Sequence, residues 1–440
     1  MRTTRALLPI LALLALAAAP AHAAEQKITL YSKPIEVTPY SGEQHYMPLP
    51  ANGEQAPADP GWITSIRVDV VKKKTEDAKA LSIQDVMIHH IVLHAFASKW
   101  ASRDANCAAQ FFARGEENQE MPHFGDYGIA NMTAGGDAPD WFLTHMLMNH
   151  RPYPFKVYVR TRITYSDTPV TELTPLWIDT AGCDPDPTYT VEGDGRRGST
   201  DYDRALWIVP MDGRIVGAQG HLHGGGKYQA LRNTSCGNQL LLKSRAYYGH
   251  KDHIFYRVRP ILHEPSPISM SRIRSPSGIP VSEGDQLQLT AAYDNGLPHT
   301  RVMSILMAYL LPGEVDGCQD PPDDFITQDV PKSYRKPYPR FKVPLMAPPT
   351  GVFKPLSGPI GVGDYFFSKR RVVVERGTQL TWNFDASRDH DVAVASGPRG
   401  FQSEWIRNGE YTFTPTVPGK YNIYCTLHPG RMSQQLKVVD

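Results

Sequence analysis

The feature that most constrains this chain is a period of two. In FKVYVRTRITY, Phe155, Val157, Val159, Ile163 and Tyr165 fall on one side of an extended chain, and Lys156, Tyr158, Arg160 and Arg162 on the other. Side chains of a strand point alternately to its two faces, so this is one half-buried strand of an antiparallel sheet. Runs of the same kind recur in WITSIRVDVV, ALWIVP, GRIVGAQGHLHG, QLLLKSRAYY, HIFYRVRPIL, DQLQLTAAYD and RVMSILMAYLL, broken by Gly, Pro, Asn and Asp. No long helical period occurs. The expected class is all-β: two consecutive antiparallel, jelly-roll-like β-sandwiches followed by a third, smaller sandwich.

A chain of 440 residues exceeds one ordinary core and implies two or three. The polar, turn-rich stretch from Cys183 to Asp203 suits a junction, which divides a first sandwich at 24–190 from a second at 191–315. The proline-rich stretch 316–359 reads as a semi-rigid linker, and 360–440 as the last sandwich. The start, with Arg2 and Arg5, an apolar run from Ala6 to Ala19 and Ala21-x-Ala23, reads as an export signal spanning 1–23 and cut after Ala23. A membrane anchor is the alternative; no other segment is long and apolar enough to span a bilayer. The mature chain is therefore expected in a bacterial periplasm or secreted, where disulfides persist. With a net charge of +1 and both signs interspersed, nothing points to nucleic acid or to an anionic membrane, and neither nucleic acid nor a membrane span of the mature chain is expected.

Five cysteines leave one thiol over. Cys425 is the natural exception. The other four allow three pairings, of which Cys107 with Cys183 and Cys236 with Cys318 keep each bridge within one proposed domain.

Near the end, YCTLHPGRM places Cys425, His428 and Met432 on one short loop, and His390 lies on a separate segment upstream. Two imidazoles, one thiolate and a distant thioether suit both Cu(II) and Cu(I), the donor set of a blue type 1 site. Zinc gains little from the thioether. With four protein donors the set is closed, so such a site moves electrons and does no substrate chemistry. About the last 80 residues, with the VERGTQLTW strand, the DH loop and the TPTVPGKYNIYC hairpin, resemble the cupredoxins of plastocyanin, pseudoazurin and amicyanin type.

Two histidine groups lie upstream among the 16 histidines. His221 and His223, in GHLHGGGKY, share a strand face and can reach one ion without distorting the backbone. His89 and His90, in MIHHIVLHAF, point to opposite faces unless the strand is locally irregular. Taken together with the late strand holding Met303, these motifs resemble the ascorbate-dependent copper type II monooxygenases, the family of peptidylglycine α-hydroxylating and dopamine β-monooxygenases. The resemblance spans roughly 28–315 and implies two sandwiches, each with one copper, facing an open cleft. It assigns His221, His223 and Met303 to the copper that activates oxygen, with His299 as rival ligand, and His89 and His90 to the other. The third histidine expected there is replaced by Thr164; His150, or else His145, stands nearby. Gln219 occupies the position of the family's carboxylate-binding arginine, so a peptidyl-glycine substrate is not implied. The resulting expectation is an exported copper oxidoreductase, an O2-dependent C–H hydroxylase fed by its C-terminal type 1 copper, with one or two further coppers in the core. The alternative is a non-catalytic copper-binding, copper-handling or electron-transfer protein on a degenerate scaffold. Substrate, whether small molecule or peptide, and electron donor are left open.

Overall fold

The computed structural model describes residues 25–49, 61–96, 110–117, 121, 124, 126–132, 140–182, 184, 186–250, 252–324, 326–327 and 332–440. The expected export signal, Cys107 and Cys183 lie outside them. The described chain is nearly all-β, with its strands arranged as face-to-face sheets, none of them closed into a barrel.

In the first sandwich, Glu25–Tyr31, Phe155–Ser166, Trp62–Val71, Tyr127–Ala130 and Thr171–Glu172 lie side by side, with Ile35–Val37 also paired to Phe155–Ser166. They face Gly42–Leu49, Trp141–Asn149, Val86–His94 and Gln110–Gly115. The alternation of FKVYVRTRITY is carried through: Val157, Val159, Ile163 and Tyr165 are buried in the core with Ile66, Val68 and Phe111. Arg160 is also buried, on the opposite face, because Asp69 takes its guanidinium in a two-pronged bond of 2.8 and 2.8 Å and the carbonyls of Thr75 and Glu76 take the rest.

The second sandwich sets Thr174–Asp179, Ser304–Pro312, Gly213–Leu222, Arg272–Val281 and Ile326–Thr327 against Thr200–Ile208, Gln286–Asp294, Gly226–Asn233, Gln239–Tyr247 and Ser269–Met270. Its first strand, Thr174–Asp179, pairs along Ser304–Pro312. The changeover between sandwiches thus comes upstream of the polar stretch that suggested it. Cys236 and Cys318 are bridged, at an S–S distance of 2.00 Å.

The last sandwich has Lys354–Pro355, Arg371–Glu375, Ser433–Val439, Gly419–Tyr424 and Ala393–Ser396 in one sheet, and Phe366–Phe367, Ile360–Gly363, Leu380–His390 and Ile406–Phe413 in the other. It is fastened to the rest. Gly42 N–H donates to the Leu427 carbonyl (3.0 Å), Gly430 N–H to that of Tyr40 (3.2 Å) and Gly400 N–H to that of Glu192 (2.6 Å). Met146, on a strand of the first sandwich, is part of the last sandwich's apolar core with Trp382, Cys425 and Met432.

The described part of the segment expected to be a semi-rigid linker lies against the body of the molecule. Tyr248 N–H donates to the Lys336 carbonyl (2.9 Å), Arg340 pairs with Asp294 (3.1 Å), and Val343 and Leu345 pack on Ala393, Ala395 and Tyr424. Proline removes donors and keeps the backbone extended, but the side chains between the prolines are apolar enough to be drawn against the body. The segment is a strap.

Candidate metal centres and the cavities beside them

The C-terminal donors converge. Cys425 follows the strand Gly419–Tyr424, and a tight turn returns the chain, with His428 N–H on the Cys425 carbonyl (3.2 Å) and Met432 N–H on that of His428 (3.0 Å). His390 ends the strand Leu380–His390. Cys425 Sγ lies 3.8 Å from His390 Nδ1 and 3.6 Å from His428 Nδ1, and the two Nδ1 atoms are 3.1 Å apart. The centre of such a triangle is about 2 Å from each corner, which is metal-ligand distance for imidazole and thiolate. All three residues and Met432 are buried. Asp364 accepts from His390 Nε2–H (3.3 Å), and Glu43, of the first sandwich, lies 3.7 Å from His428 Nε2. A proton held at His390 Nε2 leaves its Nδ1 lone pair turned toward Cys425 and His428, where a cation can be taken up. Burial pushes the Cys425 thiol far above its usual range, so the thiolate also calls for a positive partner.

Beside this loop, Asp391 is buried and accepts from Thr426 N–H and Oγ1–H, both at 2.6 Å. Arg301 approaches Asp391 at 4.0 Å, pairs with Asp186 at 2.7 Å and lies 4.3 Å over the Trp405 ring. Its carbonyl accepts from His223 Nδ1–H at 2.6 Å. Arg301 therefore touches the surroundings of both candidate centres.

The upstream histidines gather between the first two sandwiches. His221 and His223 share a face as their spacing requires, with ring centroids 5.1 Å apart. The irregularity that His89 and His90 need is present: the register of Val86–His94 against Trp141–Asn149 slips between Ile88 and His90. Their Nδ1 atoms come within 3.2 Å. The His89 ring lies 4.9 Å from that of His223 and 5.1 Å from that of His263. The HH and HxH motifs are thus in contact and do not face one another across an open cleft.

His150 and His145 stand apart from this contact. His150 Nδ1–H donates to the Pro260 carbonyl (3.0 Å), and the buried His145 ring is 5.6 Å from His45. His299, the rival to Met303, has both nitrogens spent: Nδ1–H donates to Glu264 (2.8 Å) and Nε2–H to the Asp294 carbonyl (2.8 Å). Met303 is buried. Three acidic or imidazole groups absent from the sequence reading join the cluster. Glu117 accepts from His221 Nδ1–H at 2.8 Å, and Glu116 accepts from His263 Nε2–H at 2.5 Å. Burial works against charge on His221 and His263, but these carboxylates outweigh it and raise both pKa values. Burial holds His89, His223 and His90 neutral, the last at about 3. No spacing links 116 or 117 to 221 or 263, so only the fold shows these pairs.

Two cavities open here. A small one, of about 50 Å³, is lined by His89, His223, His263, Met303, Tyr424 and Thr426. A larger one, of about 400 Å³, has walls that include Val92, Trp177, Ile305, Met307, Gln219 and His221. His90 and Met303 line both and stand between them. Gln219 is buried, and neither its amide nitrogen nor its oxygen has a partner. Exposed Tyr46, stacked on Phe142 at 5.1 Å, and exposed Phe96 lie at this end of the first sandwich.

No protein-family profile matches the chain, and no curated protein does. Among solved structures, a purple cupredoxin from Nitrosopumilus maritimus is similar at 23% identity over 19% of this chain and 100% of its own, with a TM-score of 0.18. A Cu(I) amicyanin mutant is similar at 23% identity over 19% of this chain and 83% of its own, with a TM-score of 0.17. The chemistry proposed below stands on the chain's own donors. Among the described residues, no helix is long and apolar enough to cross a membrane.

Proposed function

We propose that the chain is an exported copper oxidoreductase in which His390, Cys425, His428 and Met432 hold a type 1 copper that feeds an interior histidine chamber, where a C–H bond of an apolar substrate is hydroxylated with O2, two electrons from an external one-electron donor passing through the type 1 copper and the second oxygen atom leaving with two protons as water. One observation carries this reading. Tyr424 and Thr426, the neighbours of Cys425 on either side, wall the same cavity as His89, His223, His263 and Met303.

Copper bound by the C-terminal donors supplies reversible one-electron transfer. The protein's part is to keep that transfer directed. Burial of Cys425 and Met432 keeps water off the donors, Asp364 holds His390 with Nδ1 free, and Glu43 sets a negative charge 3.7 Å from His428 Nε2. Cys425–Thr426, Asp391, Arg301 and His223 form a continuous series of covalent, hydrogen-bonded and charge contacts from one centre to the other. In the chamber, His221, His223 and Met303 are the donors proposed for the copper that meets oxygen. The Nε2 atoms of His221 and His223 are buried and unpaired, as ligand atoms without an ion are. The larger cavity offers apolar walls for substrate, and the unpaired amide of Gln219 selects one with a neutral hydrogen-bonding group.

The runner-up is a copper-handling protein without turnover, which Thr164 in place of the expected third histidine favours. Copper analysis separates these readings. One copper per chain, with no oxygen uptake beside a chemical reductant, rejects the hydroxylase; two or three, with uptake lost in His223→Ala, support it. Cys425→Ala should abolish an intense visible absorption of the oxidised protein. A colourless oxidised wild type rejects the type 1 assignment.

A further inference from the structure

The histidine chamber contains a donor set that neither motif describes. His89, Glu116 and His263 each offer one ligand atom, and the three atoms lie within 4.8 Å of one another. They come from three places: a bulged strand of the first sandwich, the turn after Gln110–Gly115, and a loop of the second sandwich.

The hydrogen bonds around them prepare each atom. Gln44 Oε1 can only accept, so His90 presents Nε2–H to it at 2.9 Å. A neutral His90 then has its lone pair at Nδ1, which accepts from His89 Nδ1–H at 3.2 Å. This leaves the lone pair of His89 at Nε2, the nitrogen 3.9 Å from Glu116 Oε1. On the other side, Ser266 N–H donates to Glu116 Oε2 at 3.3 Å and turns Oε1 toward His263. An ion at this point would replace the proton that His263 shares with Glu116. The adjoining cavity holds a further unpaired imidazole nitrogen, Nε2 of the buried His223.

We infer that His89, Glu116 and His263 form a binding site for a divalent first-row transition ion, joining the two sandwiches, with His90 and Gln44 as positioning residues and not ligands. Two imidazoles and one carboxylate make a harder set than imidazoles with a thioether, and they favour a divalent ion over Cu(I). Three protein donors leave positions open toward the cavity of about 50 Å³, which has room for one or two small molecules. The inference rests on the proposed chamber for its location but names different donors from His221, His223 and Met303.

The test uses the full chain with Cys425→Ser, stripped of metal and titrated with Co(II). Cobalt on nitrogen and oxygen gives only weak visible bands, whereas cobalt on a thiolate gives intense ultraviolet absorption. The expected result is about one tight Co(II) per chain with weak bands, lost in Glu116→Gln and in His263→Ala and kept in His150→Ala. Gln44→Leu should weaken binding about 10- to 100-fold while the weak bands keep their positions. Glu116→Gln keeps size and the Ser266 contact, so an unchanged Tm of the metal-free variant certifies its fold. The Tm rise that Co(II) gives the parent is a second readout, and it should vanish in the same variants. Co(II) binding that survives Glu116→Gln and His263→Ala but is lost in His223→Ala overturns this site and leaves the proposed copper donors standing. An absence of Co(II) binding in the folded Cys425→Ser parent overturns this site alone, since the thioether-containing set is tested by copper analysis and not by Co(II).

Discussion

At Arg301 the backbone turns through φ +56°, a left-handed conformation that a long side chain rarely adopts. The strain is held by contacts on every side: Asp186, Asp391, the Trp405 ring, Gln402 on its N–H at 2.6 Å and His223 on its carbonyl. Burial pushes Asp391 up, and Arg301 opposes that push. Arg301→Gln should therefore cost about 3–5 kcal/mol in urea unfolding, since it leaves a buried carboxylate without its countercharge. A cost under about 1 kcal/mol would show that Asp391 is satisfied by Thr426 alone. His299 gives a pH test. Both its acceptors, Glu264 and the Asp294 carbonyl, require a proton, and although burial lowers its pKa, Glu264 raises it above the ordinary value. A raised folded pKa stabilises below the unfolded value near 6.5 and is lost as pH climbs through the folded one. The stability advantage of wild type over His299→Gln, about 1–3 kcal/mol at pH 6, should shrink as pH is raised from there. A gap that does not change with pH would mean that His299 is neutral.

Among the elements, the strap and the bulge show what a sequence displays and what it hides. The alternation of FKVYVRTRITY and the shared face of His221 and His223 follow from strand geometry alone, and both are found where expected. The bulge at His89 could be named as a requirement but not as a fact, because its register is set by the neighbouring strand. Glu116 and His263 lie 147 positions apart, and no local period relates them. The strap is hidden for a different reason: proline content reports backbone stiffness, whereas Tyr338, Val343 and Leu345 decide whether a stiff segment adheres. Limited proteolysis should accordingly leave the 336–347 stretch intact until global unfolding, and Val343→Asp should open it to cleavage. Rapid cutting of the wild type there would restore the free-linker view.

For the whole molecule, the two candidate centres are fixed in relation to one another by backbone bonds from both earlier sandwiches to the last. On the proposed function, electron passage between them needs no docking event. In copper-loaded protein, flash reduction should bleach the absorption of the proposed type 1 centre, and the bleach should decay with first-order kinetics, at a rate independent of protein concentration and nearly indifferent to salt. A rate proportional to concentration would assign the decay to encounters between molecules.

Met146 carries a last consequence. The C-terminal unit looks, on the page, like something that could be cut out and studied alone. Yet one of the side chains filling its interior belongs to a residue more than two hundred positions earlier. A fragment of 348–440 would be born with a methionine-sized hollow in its apolar core, at a cost of about 2–5 kcal/mol. The unit has become a tenant whose wall is owned by its neighbour.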